Sequence, residues 1–354
     1  TVLFFGFWYT RSGNLNTDVP ILSEPFALEA LTTNGNTRHA VVSSDGKNLV
    51  YTQGKDNEKQ SVWLRQLDSG DNVEIIPPSD DFYYGLALSP DGNSLYFVRH
   101  PRLQEGRFDI FRISIFGGIP QKLLSQTEGW ISISPSGEHI SFVRCPGRSD
   151  ENCSLFIADA SNGQNERKIL SRPRPFRLGD NRFSPDGRSI AFAVGQSETA
   201  ANEFGLMEVE VESGTERALT GEKFFNIRNM AWLPGGKGLL FTASRNSMRN
   251  YRIWQLSRDS GEVFPLTKDS ESYSHLSLDG QSRVLVSTQV KEAFRLQAFE
   301  MEDPSANRIL AKAGSVSYAA NGKIVFSSIM SGNDEIWSIN NDATGQRQLT
   351  NNSA

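Results

Sequence analysis

The chain has 354 residues, with 36 Lys and Arg against 41 Asp and Glu and a formal net charge of −5. This acidic balance argues against a nucleic-acid surface, because phosphate binding needs clustered cations and the sequence has no long Lys/Arg run. Hydrophobic residues make up 38% and charged residues 22%, which is the composition of a globular chain and excludes a disordered one.

The first residues form an apolar, aromatic run. Positions 2–9 read Val-Leu-Phe-Phe-Gly-Phe-Trp-Tyr, and Thr10 and Arg11 follow. Eight apolar residues are too few to span a bilayer, which takes about 20, but an aromatic cluster that ends in a cation resembles the interfacial end of a transmembrane helix. We expect residues 1–12 to be the end of such a helix and residues 13–25 to be a tether. The alternative is a hydrophobic β-strand.

A turn motif recurs seven times after this segment. Its clearest copies read Ser-Ser-Asp-Gly at 43–46 and Ser-Pro-Asp-Gly at 89–92 and 184–187. In such a turn Pro fixes φ, Asp bonds back to the backbone and Gly adopts a positive φ. The marker glycines of the seven copies lie 42 to 50 residues apart, at positions 46, 92, 137, 187, 236, 280 and 322. A period in this range predicts the blades of a propeller.

Each repeated unit contains four predicted strands. The strand after the turn is apolar on both faces, as expected where neighbouring blades cover both faces. A third strand follows, as at 61–67, and the fourth ends in Leu-Thr or its equivalent. The sequence therefore predicts an all-β fold, a β-propeller of about seven four-stranded blades over residues 26–354.

The ends of the repeat do not decide how the ring closes. Seven turn motifs are flanked by eight predicted outer strands, the first within residues 26–32 and the last within residues 347–350. Either one outer strand closes the ring, or the repeat continues into an eighth blade or beyond. We expect the repeat to continue.

The repeated unit Leu-Thr…Ser-Pro-Asp-Gly…Ile-Ala-Phe resembles the TolB-like, WD-repeat-like propellers of bacterial envelope proteins, over residues 26–350. Longer strings, such as Gln-Ser-Val-Trp-Leu-Arg-Gln-Leu at 60–67, resemble the C-terminal propeller of membrane-anchored bacterial signalling proteins. In that group one transmembrane helix joins the propeller to a cytoplasmic eukaryotic-like serine/threonine kinase or a CadC-like winged-helix regulator. The resemblance implies a sensor or interaction domain on the periplasmic or extracellular side, anchored to the cytoplasmic membrane by an N-terminal helix.

The sequence contains none of the common catalytic signatures. It has no Gly-x-Ser-x-Gly elbow, no phosphate-binding Gly-Lys-Ser/Thr loop and no His-Glu-x-x-His zinc helix. Asp45, Asp91 and Asp186 recur at one turn position, which indicates a structural role and not catalysis or calcium binding. We expect a non-catalytic chain without cofactor or metal. Two alternatives stay open: a TolB-like envelope scaffold, and the propeller half of a prolyl-oligopeptidase-like serine peptidase whose catalytic domain is missing.

Candidate binding residues come from two places in the repeat. Arg99 and Arg144 each lie seven residues after a marker glycine, at the mouths of successive blades, and His100 adds to the same cationic rim. Tyr84 and Trp130 lie just before or on innermost strands, where they would line the mouth of a channel. These residues predict a site for a protein, peptide or small ligand at one face of a monomeric propeller. The alternatives are solvated loop charge for the cations and packing between blades for the aromatic residues.

The two cysteines are close in sequence. Cys145 ends one predicted strand and Cys153 opens the next, with seven residues between them. Antiparallel partners at the mouth of a hairpin can come within bridging range, so a disulfide is expected in an oxidising compartment. The alternative is two unpaired thiols.

Overall fold

The computed structural model describes residues 2–6, 27–32, 35–54, 58–102, 108–145, 152–196, 203–245, 250–267, 269, 271–290, 295–299, 307–312, 315–319, 322–328, 330–331 and 335–351. In these ranges the regular structure is almost entirely β-strand, and the helical element is a 3-10 turn at Pro234–Gly236. No helix in this part of the chain has the length and apolar character needed to cross a membrane. The predicted all-β propeller class is confirmed.

The strands are numbered in chain order. They are β1 (Val2–Gly6), β2 (Ala27–Ala30), β3 (Thr37–Val42), β4 (Asn48–Gln53), β5 (Gln60–Gln66), β6 (Asn72–Ser79), β7 (Asp81–Leu88), β8 (Ser94–Pro101), β9 (Phe108–Ser114), β10 (Gln121–Thr127), β11 (Ile131–Ile133), β12 (His139–Arg144), β13 (Cys153–Asp159), β14 (Arg167–Arg172), β15 (Phe176–Phe183), β16 (Ser189–Gln196), β17 (Glu203–Glu210), β18 (Glu216–Ala218), β19 (Asn226–Trp232), β20 (Gly238–Ser244), β21 (Arg252–Ser257), β22 (Val263–Pro265), β23 (Ser272–Leu278), β24 (Val284–Val290), β25 (Arg295–Phe299), β26 (Asn307–Lys312), β27 (Val316–Tyr318), β28 (Lys323–Ser328), β29 (Glu335–Asn340) and β30 (Arg347–Gln348).

Six four-stranded antiparallel sheets form a closed ring. Blades 1 to 5 each use four consecutive strands, from β3–β6 for blade 1 to β19–β22 for blade 5, and blade 6 consists of β23, β24, β1 and β2. The inner strands β3, β7, β11, β15, β19 and β23 contact one another in that order, and β23 contacts β3 to complete the circle. The chain thus surrounds a central axis with one inner strand from each blade.

Strands from the beginning of the sequence complete blade 6. β1 pairs antiparallel with β24, with Val2 opposite Thr288 and Gly6 opposite Val284, and β2 pairs with the other edge of β1. Val2–Gly6 is therefore a strand and not the end of a helix, which corrects our expectation for this part of residues 1–12. Apolar and aromatic residues suit a strand inside a blade as well as a membrane interface, so composition does not separate the two. Residues 7–26, with the rest of the expected helix and tether, lie outside the described residues.

The remaining strands follow a different plan from the repeat. By chain order β25 and β26 would be the third and fourth strands of blade 6, but they form a separate two-stranded sheet. β27–β30 form a seventh four-stranded sheet, in which Ile324, Phe326 and Ile339 pack with Leu310 of β26. Among the described strands, these four make no substantial contact with the ring. Four-stranded sheets number seven in the described part of the chain, as predicted, but the ring itself has six and closes without continuation of the repeat.

In blades 1 to 5 the aromatic residue near the end of the second strand packs between the blades. None of the five is more than 5% exposed: Tyr51, Phe97, Phe142, Phe192 and Phe241. The burial of each such side chain stabilises the fold by about 1.5–3 kcal/mol. The aromatic position of the sequence repeat therefore marks the contact surface between sheets.

The turn motifs have the structural role that the sequence predicts. In the copy at 184–187, the Ser184 hydroxyl donates to Asp186, and the same serine oxygen accepts from the Ser189 N–H. The hydroxyl of Ser184 is the main reason that the pKa of Asp186 is lowered. The sixth copy differs, because Ser282, and not the marker at Gly280, has the positive φ of 53°.

Candidate functional site

A cavity of about 1370 Å³ lies on the axis of the ring. Residues of all six inner strands line it, together with a few residues that flank them, so no single blade forms the site. Among the described residues, no group of three or more His, Cys, Asp or Glu is arranged to hold a metal ion.

Irregular pairing of the inner strands directs polar side chains toward the cavity. In five of the six inner strands the register with the second strand slips near the same point, as between Thr37 and Ala40 in β3. A bulge interrupts the alternation of side chains and re-aims the residues within it. Lining residues inside these bulges include Arg38, His39, Arg228, Ser274 and His275.

The cavity wall is positively charged although the chain as a whole is acidic. Among the described lining residues, four arginines face one carboxylate, Glu128. Burial raises the pKa of Glu128, and the nearby Arg177 opposes this effect. The other three arginines, Arg38, Arg182 and Arg228, lie in blades 1, 4 and 5. A concave site with more fixed cations than anions attracts negatively charged groups.

Two of these arginines are held in place by their neighbours. The guanidinium carbon of Arg228 lies 3.7 Å from the ring centroid of Tyr251, and no carboxylate in the described ranges pairs with Arg228. The Nη1 atom of Arg182 is 2.7 Å from Asp180, and its Nε donates to the Met230 carbonyl. Desolvation of the fully buried Asp180 raises its pKa to about 6, against the opposing effect of Arg182.

Two histidines meet in the cavity wall where blade 6 contacts blade 1. The ring centroids of His39 and His275 are 3.9 Å apart. Burial lowers the pKa of both imidazoles, that of His275 to about 3, and Arg228 and other arginines lower the pKa of His275 further. Both rings are thus neutral at pH 7. His39 is buried, and its Nδ1 has no hydrogen-bond partner in the part of the chain that the structure describes.

We expect acid to destabilise the ring through His275. With a pKa of about 3 in the folded state and 6.5 in the unfolded state, this histidine takes up its proton on unfolding. Its contribution to stability is therefore full above pH 6.5 and is lost as the pH falls toward 3, by about 2 kcal/mol between pH 7.5 and pH 5. Denaturant unfolding at both pH values measures the effect. His275→Gln should lose the part of this acid sensitivity that His275 causes and keep the part that the buried His39 causes, whereas His139→Gln, at the start of β12, should keep both; the same pH dependence in both variants would contradict the assignment.

The structure separates the residues that the sequence proposed for binding. Tyr84 and Trp130 are half-buried in the cavity wall. Arg99, His100 and Arg144 are not among the described residues that line it. Tyr84 lies between the cavity histidine His39 and Phe108, with ring centroids 5.3 and 5.6 Å away.

The three rim residues make contacts with neighbouring side chains, and Arg144 also donates to the Ser125 carbonyl of blade 2. The guanidinium of Arg99 lies 4.1 Å from the ring centroid of Phe111 and 3.6 Å from Asp81. Arg144 forms a bidentate ion pair with Glu166. The ring of His100 packs against Phe108, with centroids 4.6 Å apart. These contacts fix the side chains at the blade edges, and a binding role for them stays a prediction.

Cys145 and Cys153 are joined by a disulfide, with Cα atoms 4.1 Å apart. The pairing of β12 with β13 places Arg144 opposite Ser154, so the cysteines face each other at the next position. The buried Cys153 sulfur also accepts the N–H of Leu178 in blade 4. The bridge therefore lies at the contact between blades 3 and 4.

We expect Cys145→Ser to lower stability only under oxidising conditions. The bridge closes a short loop, and in the chain-entropy model it contributes about 2–3 kcal/mol by restricting the unfolded chain. Denaturant unfolding of the wild type and the variant, with and without reductant, measures this difference. An equal loss of stability in reductant would show that the serine damages packing and that the bridge contributes nothing.

Comparison with known proteins supports the fold. No family model and no curated protein matches the chain. A TolB from Agrobacterium tumefaciens is similar in structure, with a TM-score of 0.56 and 17% identity over 75% of this chain and 95% of that one. The fold is that of a TolB-like β-propeller. Puromycin hydrolase matches with a TM-score of 0.50 and 13% identity, over 90% of this chain and 46% of that one.

A third similar structure is an oligogalacturonate lyase in complex with manganese, with a TM-score of 0.49 and 16% identity over 86% of this chain and 89% of that one. At such low identities the TolB and puromycin hydrolase matches show the fold alone. The same propeller fold thus occurs in a hydrolase and in a TolB, so the fold does not decide whether a protein is catalytic.

Sequence reasoning missed the polar residues of the TolB-like propeller's inner strands. Arg38 and Arg228 each lie five residues before the start of their turn motifs, and His39 lies four residues before its own, but His275 lies two residues before Ser277. Alignment of the repeats on the turns would have brought the two arginines together and not the two histidines. The bulges that aim them into the cavity leave no comparable mark in the sequence.

Proposed function

We propose that this chain is a ligand-recognising propeller whose ligand enters the central cavity. It serves as the sensor or interaction domain of a membrane-anchored signalling protein, on the extracytoplasmic side of the membrane. The observation that carries the proposal is the axial cavity of about 1370 Å³, which every blade of the ring helps to line. A ligand there would contact all six blades, so its binding would bias the packing of the whole ring.

Two further observations support the location. The disulfide between Cys145 and Cys153 suits an oxidising compartment. The resemblance of the sequence repeats to membrane-anchored bacterial signalling proteins points to the same side of the membrane. The proposal therefore requires that the two cysteines of the native protein resist thiol alkylation in intact cells. Quantitative alkylation without prior reduction would contradict an extracytoplasmic location.

A thermal-shift screen of small molecules and short peptides tests binding in the cavity. Compounds that stabilise the wild type should stabilise Trp130→Ala less, because the half-buried Trp130 lies in the cavity wall. Trp63→Ala is the matched control, since Trp63 is also half-buried but lies outside the described cavity lining. A screen without hits, or hits that respond equally to both variants, would count against the central cavity as the binding site.

The enzyme alternative rests on the puromycin hydrolase match, which aligns this chain with 46% of that protein. It predicts that the parent protein carries a serine hydrolase domain and that this chain alone hydrolyses nothing. A TolB-like scaffold would instead bind other envelope proteins. Peptide hydrolysis by the parent protein would favour the peptidase, and stable co-purification with an envelope protein would favour the scaffold.

A further inference from the structure

Five residues form a continuous polar arc on one side of the cavity. We call this the cationic arc: Arg38 and His39 of blade 1, Arg182 of blade 4, Arg228 of blade 5 and His275 of blade 6. Blades 4, 5, 6 and 1 are consecutive in the ring, so these side chains follow one another around the wall. The rest of the wall, in blades 2 and 3, carries Tyr84, which is next to His39, together with Glu128 and Trp130. The arginines of the arc therefore lie outside blades 2 and 3, where the one carboxylate of the described lining lies.

Within the arc, the guanidinium N–H groups of Arg228 have no carboxylate partner among the described residues. Arg228 lies against the ring of Tyr251, a contact that fixes the plane of its guanidinium while its N–H groups stay in that plane. Tyr251 is itself almost fully buried, and its hydroxyl accepts a hydrogen bond of 3.1 Å from Asn226. A rigid guanidinium without a carboxylate partner is a preorganised site for an oxyanion.

A second observation comes from the buried histidine. His39 is 8% exposed, lines the cavity, and its Nδ1 has no partner among the described residues. Buried polar atoms are normally hydrogen-bonded, and an exception calls for an explanation such as a ligand. Nδ1 is closed off from solvent, so it donates to a ligand only after the imidazole turns toward the cavity. An anion there would also offset the charge of Arg228, whereas Arg182 is already paired with Asp180.

We propose that the cationic arc binds an oxyanion, a carboxylate or phosphate group of a small molecule that enters the central cavity. The proposal rests on the proposed function and specifies its ligand class. Arg228 supplies a fixed pair of donors, Arg38 supplies further positive charge, and His39 donates from Nδ1 once its imidazole turns toward the cavity. The aromatic residues in the rest of the wall, Tyr84 and Trp130, contact the uncharged part of the molecule.

Titration with two anions tests the proposal at low ionic strength, citrate as the carboxylate probe and pyrophosphate as the phosphate probe. We expect at least one of them to bind the wild-type chain, to raise its melting temperature and to change the fluorescence of the cavity tryptophans. Sodium chloride at matched ionic strength should do neither. Preference for citrate or for pyrophosphate distinguishes the two sources of the oxyanion.

Arg228→Gln should weaken binding of the preferred probe roughly tenfold or more, because a charge-assisted hydrogen bond is lost. Arg245→Gln is the matched control: Arg245 also lies over aromatic rings, 4.7 Å from the Trp254 centroid, but pairs with Glu222 and is not among the residues that line the cavity. We expect it to bind within about twofold of the wild type. Should Arg228→Gln fail to fold, Arg38→Gln tests the same arc from blade 1, with the same expected loss.

Three results would overturn the proposal in distinguishable ways. If neither anion binds but another compound binds in a manner sensitive to Trp130→Ala, the ligand class is wrong and the cavity site stands. If an anion binds and both arc variants match Arg245→Gln, binding occurs elsewhere and the arc is not the site. If neither the anions nor the screened compounds bind, the proposed function fails together with this inference.

Discussion

A chain that lacks residues 1–32 should lose the cooperative stability of the ring, with a fall in melting temperature of about 10 °C or more. The deletion removes the five residue pairs between β1 and β24 and the four between β1 and β2. At about 1 kcal/mol for each hydrogen bond, the loss approaches the whole stability of a typical domain. It also exposes the edge of β24 and leaves blade 6 with two strands, β23 and β24. Calorimetry and hydrogen exchange of the β24 amides measure the effect.

A deletion at the other end provides the control. Removal of residues 313–354 takes away more of the chain, including the seventh sheet, but leaves all six blades of the ring. We expect the main unfolding transition of this variant to stay close to that of the wild type. If the two deletions cost the same, or if the β24 amides keep their protection without residues 1–32, then β1 and β2 do not complete blade 6.

Glu208→Ala should lower the free energy of unfolding by about 3–5 kcal/mol, the effect expected when a buried ion pair loses one partner. Glu208 is almost fully buried in blade 4, and its carboxylate accepts hydrogen bonds from Ser189, Arg217 and Arg258. Arg258 follows the third strand of blade 5, so this carboxylate joins two blades. Burial raises the pKa of Glu208, but the hydrogen bonds from Ser189 and Arg258 outweigh it and leave the pKa lowered.

Denaturant unfolding of the wild type, Glu208→Ala and Glu212→Ala measures the free energies of unfolding that test this prediction. Glu212→Ala makes the same charge change at a carboxylate whose side chain is 94% exposed and pairs with Arg167 at 3.7 Å, so it should cost less than about 1 kcal/mol. Because the pKa of Glu208 is lowered, its contribution should be present above pH 4.5 and decline as the pH falls below that value. A similar cost for both alanine variants at pH 7 would show that the buried network adds nothing.

The sequence predicts the sheets of this fold better than it predicts how they are arranged. Turns and second strands depend on local sequence. The Ser184–Asp186 hydrogen bond and the buried Phe192 have counterparts in other blades because those blades close the same turn and pack the same strand. The place of β1 depends on a partner strand more than 270 residues away. No local pattern carries that information, and the apolar run at residues 2–9 fits a membrane helix as well as a strand.

The candidate site follows the same division between local and distant information. Tyr84 and Trp130 were predicted from their place before or on inner strands, and both line the cavity. Arg99 and Arg144 were selected because each lies seven residues after a marker glycine, but they pair with neighbouring residues outside the described cavity lining. Arg228 and His275 come together only when blades 5 and 6 pack side by side, so their shared environment is a property of the ring.

The pairing of β1 with β24 has a consequence for biosynthesis. Val2 cannot meet Thr288 until the ribosome has added the residues between them, which at about 5–20 residues per second takes roughly 15 to 60 s. Throughout that interval the segment Val-Leu-Phe-Phe-Gly has no sheet to join. Until blade 6 emerges, nascent chains therefore present an unpaired apolar strand, which is prone to pair with other chains.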